Sequence, residues 1–281
     1  MSLRIVTDSN CDLLPDLIKE HDITVVPFYI NIGAESYLDG VEMSRADFYE
    51  GLPAFEVHPM TSVPGPGTFV EVYERLADEG ATEIVSIHMA ASLSAMVNSA
   101  RLAAEEMPAL PVTVFDSGNL TLGTGLQVLA AARAAARGQT RGQIVSLLED
   151  LSARTYCFAA LDTIEFLRRS GRLSRFQWGL GAALRIKPVL KMHAGVAEME
   201  RVRTRSRALD RTVELVEDLG PLEELVLVHT HSPGEAQALW QKASHLPAWQ
   251  NLPLSAEVTP VIGTHIGPGA LGFVAVRAAD R

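Results

Sequence analysis

The 281-residue chain is poor in cysteine, in aromatic residues and in positive charge. Its two cysteines, Cys11 and Cys157, are too few for a disulfide framework or a structural zinc site, which points to a cytoplasmic protein without a bound metal. Lys and Arg number 24 against 34 Asp and Glu, a net charge of −10, so the chain lacks the cationic excess with which nonspecific nucleic-acid binders displace phosphate counterions. Long clean apolar runs are missing as well. The longest, 120–136, is interrupted by Thr121, Gly123, Thr124, Gly125, Gln127 and Arg133, and falls short of the roughly 20 apolar residues of a bilayer-spanning helix. The start, Met1-Ser2-Leu3-Arg4-Ile5-Val6, enters a strand-like run with no apolar signal region, so neither export by that route nor stable membrane insertion is expected. No Gly-x-Ser-x-Gly elbow, phosphate-binding Gly-x-x-x-x-Gly-Lys-Ser/Thr loop or dinucleotide-binding Gly-x-Gly-x-x-Gly turn occurs, and no cofactor is implied.

What is present is globular in character, with 47% hydrophobic and 21% charged residues over a length that suggests about two domains. In the first half, β-branched runs at 3–6, 24–27, 84–87 and 112–115 alternate with helical patterns. Three of these runs lead into polar junctions: Thr7-Asp8-Ser9-Asn10, Ala90-Ala91-Ser92-Leu93-Ser94 and Asp116-Ser117-Gly118-Asn119. Strands spaced by helices predict a parallel sheet with helices on both faces. Residues 60–67, with Pro64 and Pro66, read as a loop feeding a helix that carries Phe69, Val72, Tyr73 and Leu76. Helices are predicted over 120–137 and 141–153, and a boundary near Ala153 divides the chain into 1–153 and 154–281. Beyond it, strands are predicted at 156–160, 186–192, 197–202, 224–229, 254–262 and 272–276. Fewer helices separate them, which predicts a mixed sheet with helices mainly on one face. The fold class is therefore α/β with two domains.

Hydroxyl side chains crowd the strand-to-helix junctions: Thr7, Ser9, Thr61, Ser62, Ser92, Ser94 and Ser117. In an open α/β sheet such ends present unpaired N–H groups, and together with hydroxyl donors they favour an anionic oxygen ligand, while helix capping is the plain alternative for each. His265 lies in a glycine-rich stretch, Gly263 to Gly272, where backbone or ligand can approach closely. Arg172, beside Gly171, suits bidentate contact with a carboxylate or phosphate, whereas Arg168 and Arg169 read as a solvated helix end. His229-Thr230-His231 would put both rings on one strand face, yet lacks further metal ligands at suitable spacing. Arg201, Arg203, Arg205 and Arg207 alternate like a solvated strand face.

Seven segments in order give a further clue: Thr7-Asp8-Ser9, Thr61-Ser62-x-Pro-x-Pro-Gly, Leu93-Ser94 with Ser99-Ala100, Val114-Phe115-Asp116-Ser117, Gly171-Arg172-Leu173, Ile186-Lys187-Pro188-Val189-Leu190 and Gly263-Thr264-His265-Ile266-Gly267-Pro268-Gly269. In these the chain resembles the DegV family over essentially its whole length. The resemblance implies a two-domain α/β protein that binds a long-chain fatty acid such as palmitate between its domains. It further implies a lipid-carrying subunit without its own nucleotide site, which presents the acid to a separate fatty acid kinase for acyl phosphate formation. Thr61 and Ser94 would hold the carboxylate, with Ser62, Arg172 and His265 in the surrounding polar site. Leu120, Leu122, Leu126 and Leu129, with Leu161, Ile164, Phe166, Leu180 and Leu184, are candidates for the tail slot, and Gly118, Gly123 and Gly125 would leave room for the chain to enter. Ala90, Ala91, Ala95 and Met96 depart from the family pattern, which implies fewer head-group donors and a narrower neighbouring space. The alternative is a hydrolase or transferase acting on a small phosphate or acyl ester at the same strand ends, with His265 as base.

Overall fold

A computed structural model describes residues 2–176, 186–246 and 255–279. The first half opens with β1 (Leu3–Asp8), a 3-10 turn at Ser9–Cys11, α1 (Pro15–Glu20), β2 (Thr24–Val26), β3 (Tyr29–Ile32) and β4 (Glu35–Leu38). Ser44 caps α2 (Arg45–Gly51) by accepting the Asp47 N–H. Then follow β5 (Met60–Ser62) and α3 (Pro66–Asp78), whose proline sits in the first turn, where no N–H is needed. β6 (Glu83–His88), α4 (Met96–Glu105), β7 (Val112–Asp116), α5 (Leu122–Ala136) and α6 (Arg141–Arg154) complete this half, and a Thr140–Gln143 capping box starts the last of them.

Strands β2-β1-β6-β7 form a parallel sheet, as their separation by helices requires. α4 packs on β6 and β7, and α5 on β1 and β6. α5 is buried nearly all round, which fits its mostly small and apolar composition, with the buried Thr124 and Gln127 hydrogen-bonded internally, and places it in the middle of the molecule. Residues 60–67 are not all loop. Met60–Ser62 pairs antiparallel with β3, Thr61 opposite Ile30, in a small sheet of order β4-β3-β5. Met60-Thr61-Ser62 lacks the consecutive β-branched residues that mark the equally short β2, Thr24-Val25-Val26, in sequence.

The second half runs β8 (Thr155–Ala160), α7 (Glu165–Arg169), β9 (Lys187–His193), β10 (Val196–Val202), α8 (Arg205–Glu217), β11 (Leu222–His229), α9 (Pro233–Lys242), β12 (Ser255–Glu257), α10 (Pro260–Ile266) and β13 (Leu271–Arg277). Its sheet is mixed, in the order β10-β9-β8-β13-β11-β12, with β11 and β12 parallel and the other pairs antiparallel. Phe158, Ala160, Val189 and Phe273 share a core with Ala208 of α8 and Leu239 of α9. The alternate residues Cys157, Met192, Val226 and Val274 join the core of the first half. Period-two alternation thus assigns one sheet face to this half's helices and the other to the first half. Among the described residues, no helix is long and apolar enough to cross a membrane.

Two expectations need correction. Of the predicted strand 254–262, only Ser255–Glu257 is strand, residue 254 lies outside the described residues, and Thr259 caps α10 with Pro260 in its first turn. The β-branched run misled because Pro260 has no N–H for a ladder and suits a helix start instead. The arginine run is also split: Arg201 is in β10, whereas Arg205 and Arg207 lie in α8, paired with Glu235 and Glu214.

Candidate functional site

A cavity of about 380 Å³ opens between β5, the turn before α4, the residues after α7, α10, and the face of the mixed sheet turned toward the first half. Thr61, Ser62, Ser94, Arg172 and His265 all line it. Thr61 is presented by β5 and His265 by α10, and the Thr61 hydroxyl lies 2.9 Å from His265 Nε2. The start of α10 is fixed by buried carboxylates. Asp12 accepts the Thr259 N–H at 2.9 Å and the Thr121 hydroxyl at 2.5 Å, and meets Arg45 at 3.0 Å, while Asp39 accepts the Thr259 hydroxyl at 2.6 Å. Burial raises both carboxyls, Asp12 to about 6, even with the Arg45 guanidinium nearby. Gly263 lets α2 pack close to α10: a Cβ there would lie 2.4 Å from the Tyr49 hydroxyl, which donates to the Val258 carbonyl at 2.9 Å.

Burial, then the Arg172 charge, then His58, push the His265 imidazole down to about 3, so it is neutral at physiological pH. Its Nδ1 is buried and has no hydrogen-bond partner among the described residues. Arg172 is positioned by the end of α7. Gly171, at φ +71°, donates to Arg168, and the Arg172 N–H donates to Leu167 at 2.9 Å, the paired bonds of a Schellman motif. The Arg172 guanidinium donates to the Ser170 carbonyl at 3.0 Å, and burial followed by Arg175 lowers its proton affinity. Arg175, also on the cavity, donates to the Ser92 carbonyl at 2.9 Å. No carboxylate pairs with either arginine among the described residues. Ser94 Oγ accepts the Met96 N–H at 3.2 Å, which leaves its proton for another acceptor. The more exposed Ser62 accepts from Asn31 at 3.1 Å.

The apolar walls differ from those expected. Leu120 lines the cavity, but Leu122 and Leu161 are core residues, Leu126 and Leu129 border a separate cavity, and Ile164 and Phe166 pack against the core without lining the first cavity. Leu180 and Leu184 lie outside the described residues. The walls come instead from Cys157 and Ala159 of β8, Leu190 and Met192 of β9, and from Phe28 and Ile262. The i, i+2 spacing of the strand pairs was the available signal. Gly118, Gly123 and Gly125 make no room for a ligand. Added Cβ atoms would meet Gly195 N at 2.9 Å, Asn119 Oδ1 at 2.2 Å and the Cys11 carbonyl at 2.1 Å, so these glycines allow close packing of the chain on itself. Met96 is fully buried in the core and does not narrow the cavity, although Ala95 lines it.

Two of the strand-end hydroxyls are used internally: Ser9 accepts the Phe28 N–H at 3.2 Å and Ser117 lies 2.9 Å from the Thr124 hydroxyl. Thr7 is wholly buried, does not line the cavity, and its hydroxyl meets no hydrogen-bond partner among the described residues. His231 lies past the end of β11 at φ +51° and faces Glu257 at 3.1 Å, so it does not share a strand face with His229. Among the described residues no group of three His, Cys, Asp or Glu side chains is placed to hold a metal. One arrangement escaped notice in sequence. His88 lies 3.0 Å from Asp8 through Nδ1 and 2.7 Å from Ser86 through Nε2, and the Tyr73 hydroxyl donates to Ser86 at 2.9 Å. All four residues are fully buried.

Comparison with known proteins gives a consistent result. The sequence profile of the family described as "Uncharacterised protein, DegV family" matches residues 2–278. A DegV domain-containing protein of Streptomyces coelicolor is 38% identical over 275 residues, with 96% of each chain covered. A solved DegV family protein from Thermus thermophilus, described as fatty acid binding, is 33% identical with a TM-score of 0.88, covering 99% of this chain and 100% of that one. DegV from Bacillus subtilis, described as a fatty acid binding protein, is 28% identical with a TM-score of 0.87 and the same coverage.

Proposed function

Since the chain belongs to the DegV family, we propose that it is a cytoplasmic fatty-acid carrier with no catalysis or nucleotide site of its own. In this reading residues 1–153 and 154–281 are its two domains, a long-chain acid such as palmitate lies in the cavity between them, and a separate fatty acid kinase acts on the carboxylate. The observation that carries the proposal is the cavity itself, where Thr61, Ser94, His265 and Arg172, with Ser62, Arg175 and Lys191, share a slot whose other walls are apolar. Arg172 and Arg175 supply positive charge for an anion, because the imidazole is neutral. With its proton on Nε2, His265 donates to Thr61 and leaves the threonine hydroxyl free to donate to the ligand, as Ser94 also does. Ser62 and Ala95 are exposed, so the head-group end stands at the rim, within reach of a second protein.

Affinity would come from the tail. At about 0.8 kcal/mol per methylene, about 14 buried methylenes contribute on the order of 11 kcal/mol before ordering costs, and the polar end sets orientation. Hydrolysis or transfer at this site would need an acid to orient His265, and its Nδ1 has no such partner among the described residues. The test is mass spectrometry of lipid released on denaturing protein purified from a bacterial host, with palmitate titration of stripped protein. A stoichiometric long-chain acid is expected. Lipid-free preparations that also fail to take up palmitate overturn the proposal.

A further inference from the structure

A second cavity, about 230 Å³, lies between α5, α6, the start of β11 and the end of β13, and the fatty-acid reading makes no use of it. Leu126, Leu129, Leu147, Leu151 and Val276 form its apolar side. Its polar side is made by Arg133 and Arg137 of α5, Arg154 of α6, and Glu223 and Glu224 of β11. Arg154 is already committed, to Asp150 at 2.5 Å, Glu223 at 2.6 Å and the Arg277 carbonyl at 2.5 Å. Arg133 and Arg137 have no ion-pair partner among the described residues, and Glu224 Oε2 is buried without a hydrogen bond. Among the described residues, two guanidinium groups without an ion pair and one carboxyl oxygen without a hydrogen bond thus surround a partly apolar hollow, an arrangement with surplus positive charge.

We propose that this cavity is a binding site for a small organic acid with a short aliphatic body, its carboxylate held by Arg133 and Arg137 beside Glu224 and its body against the leucines. Arginine is suited to such a carboxylate, and the aliphatic part replaces water over Leu126 and Leu129. The charged groups around the same hollow as Glu224 are Glu223 on its own strand, Arg133 and Arg137 from α5, and Arg154 with its partner Asp150 from α6, while Arg277 ends the adjacent β13 opposite Leu222. Burial and then Glu223 push the Glu224 carboxyl up to about 8, against the pull of Arg133. At neutral pH it is therefore mostly protonated and able to donate to the bound carboxylate. Once ionised, it repels the ligand.

The experiment is calorimetric titration of hexanoate, with hexylammonium as the cationic counterpart, into the full chain saturated with palmitate. Retention of palmitate is measured in parallel, so that failure of the fatty-acid reading is seen separately. Hexanoate is expected to bind, and Arg133→Met to weaken it roughly tenfold or more while leaving palmitate retention unchanged. Affinity should fall from about pH 7 to about pH 9 as Glu224 loses its proton, and Glu224→Gln should bind at neutral pH without that fall. No binding of hexanoate by the unaltered protein, binding insensitive to Arg133→Met, or tighter binding of hexylammonium overturns the proposal. A pH dependence unchanged in Glu224→Gln overturns the role given to Glu224.

Discussion

Among the described residues, His88 and His265 each meet a hydroxyl through Nε2, and of the two His265 lines the cavity whereas His88 is fully buried. His88 has Ser86 at 2.7 Å on one nitrogen and Asp8 at 3.0 Å on the other, the spacing of a hydrolase triad. It is fully buried, and Tyr73 closes the chain of bonds. His265 has Thr61 at 2.9 Å, no partner on Nδ1 among the described residues, and a cavity in front of it. Hydrogen-bond geometry alone would thus single out His88, which has no space for a ligand, over His265, which lines the cavity of the proposed site. What separates a site from a structural brace is space for a ligand together with unspent bonding capacity, and the brace has neither.

The contrast is broken most directly through stability. His88→Ala removes bonds to both Asp8 and Ser86 and leaves a void, so it should cost about 3–5 kcal/mol in urea unfolding. His265→Ala, in lipid-free protein, should cost about 1 kcal/mol or less, because one of its nitrogens is already unsatisfied, and should instead impair palmitate retention. Equal losses of stability would abolish the distinction. A smaller effect appears in the pH dependence. His265 resists protonation down to about 3 when folded, against 6.5 when exposed, so the unfolded chain binds the extra proton between these values. Its contribution to stability is complete above about 6.5 and is lost as pH falls toward 3, with a slope of at most about 1.4 kcal/mol per pH unit. The stability difference between the unaltered protein and His265→Gln should therefore drift against the former on acidification. A difference constant from about pH 7 to about pH 4 would mean that the imidazole is not held neutral by burial.

How much of this was legible follows from the range of the forces involved. β1 and β6 are visible because runs such as Ile5-Val6 and Ile84-Val85 carry their own propensity, and the parallel sheet follows from the helices between them. Arg172 was legible for a local reason, the neighbouring Gly171 that ends α7. Thr61 and His265 are 204 positions apart, and no local pattern joins them; the motif resemblance named both, and the cavity shows them side by side. The cavity walls were misassigned because an apolar helix such as α5 looks the same whether it faces a ligand or a core, while Cys157 and Ala159 lie on a sheet face whose neighbour only the tertiary fold supplies. The Asp8–His88–Ser86 chain was invisible for the same reason, since Asp8 and His88 come from adjacent parallel strands 80 positions apart.

The finest division lies within the proposed site, between the hydroxyls of Thr61 and Ser94. Thr61 is braced by His265, whereas among the described residues Ser94 Oγ meets only the Met96 N–H in its own turn. Thr61→Val keeps the side chain's shape but removes the donor and leaves His265 with neither nitrogen bonded, so palmitate binding should weaken by about 2 kcal/mol. Ser94→Ala removes a donor whose turn retains its backbone bonds to the Ala90 carbonyl, and should cost about 1 kcal/mol. Measured by palmitate titration, this order follows from bracing, because a hydroxyl held in place before the ligand arrives loses less entropy on binding it. The reverse order would mean that the His265 contact competes with the ligand for the Thr61 proton, and His265 would then hinder capture of the carboxylate.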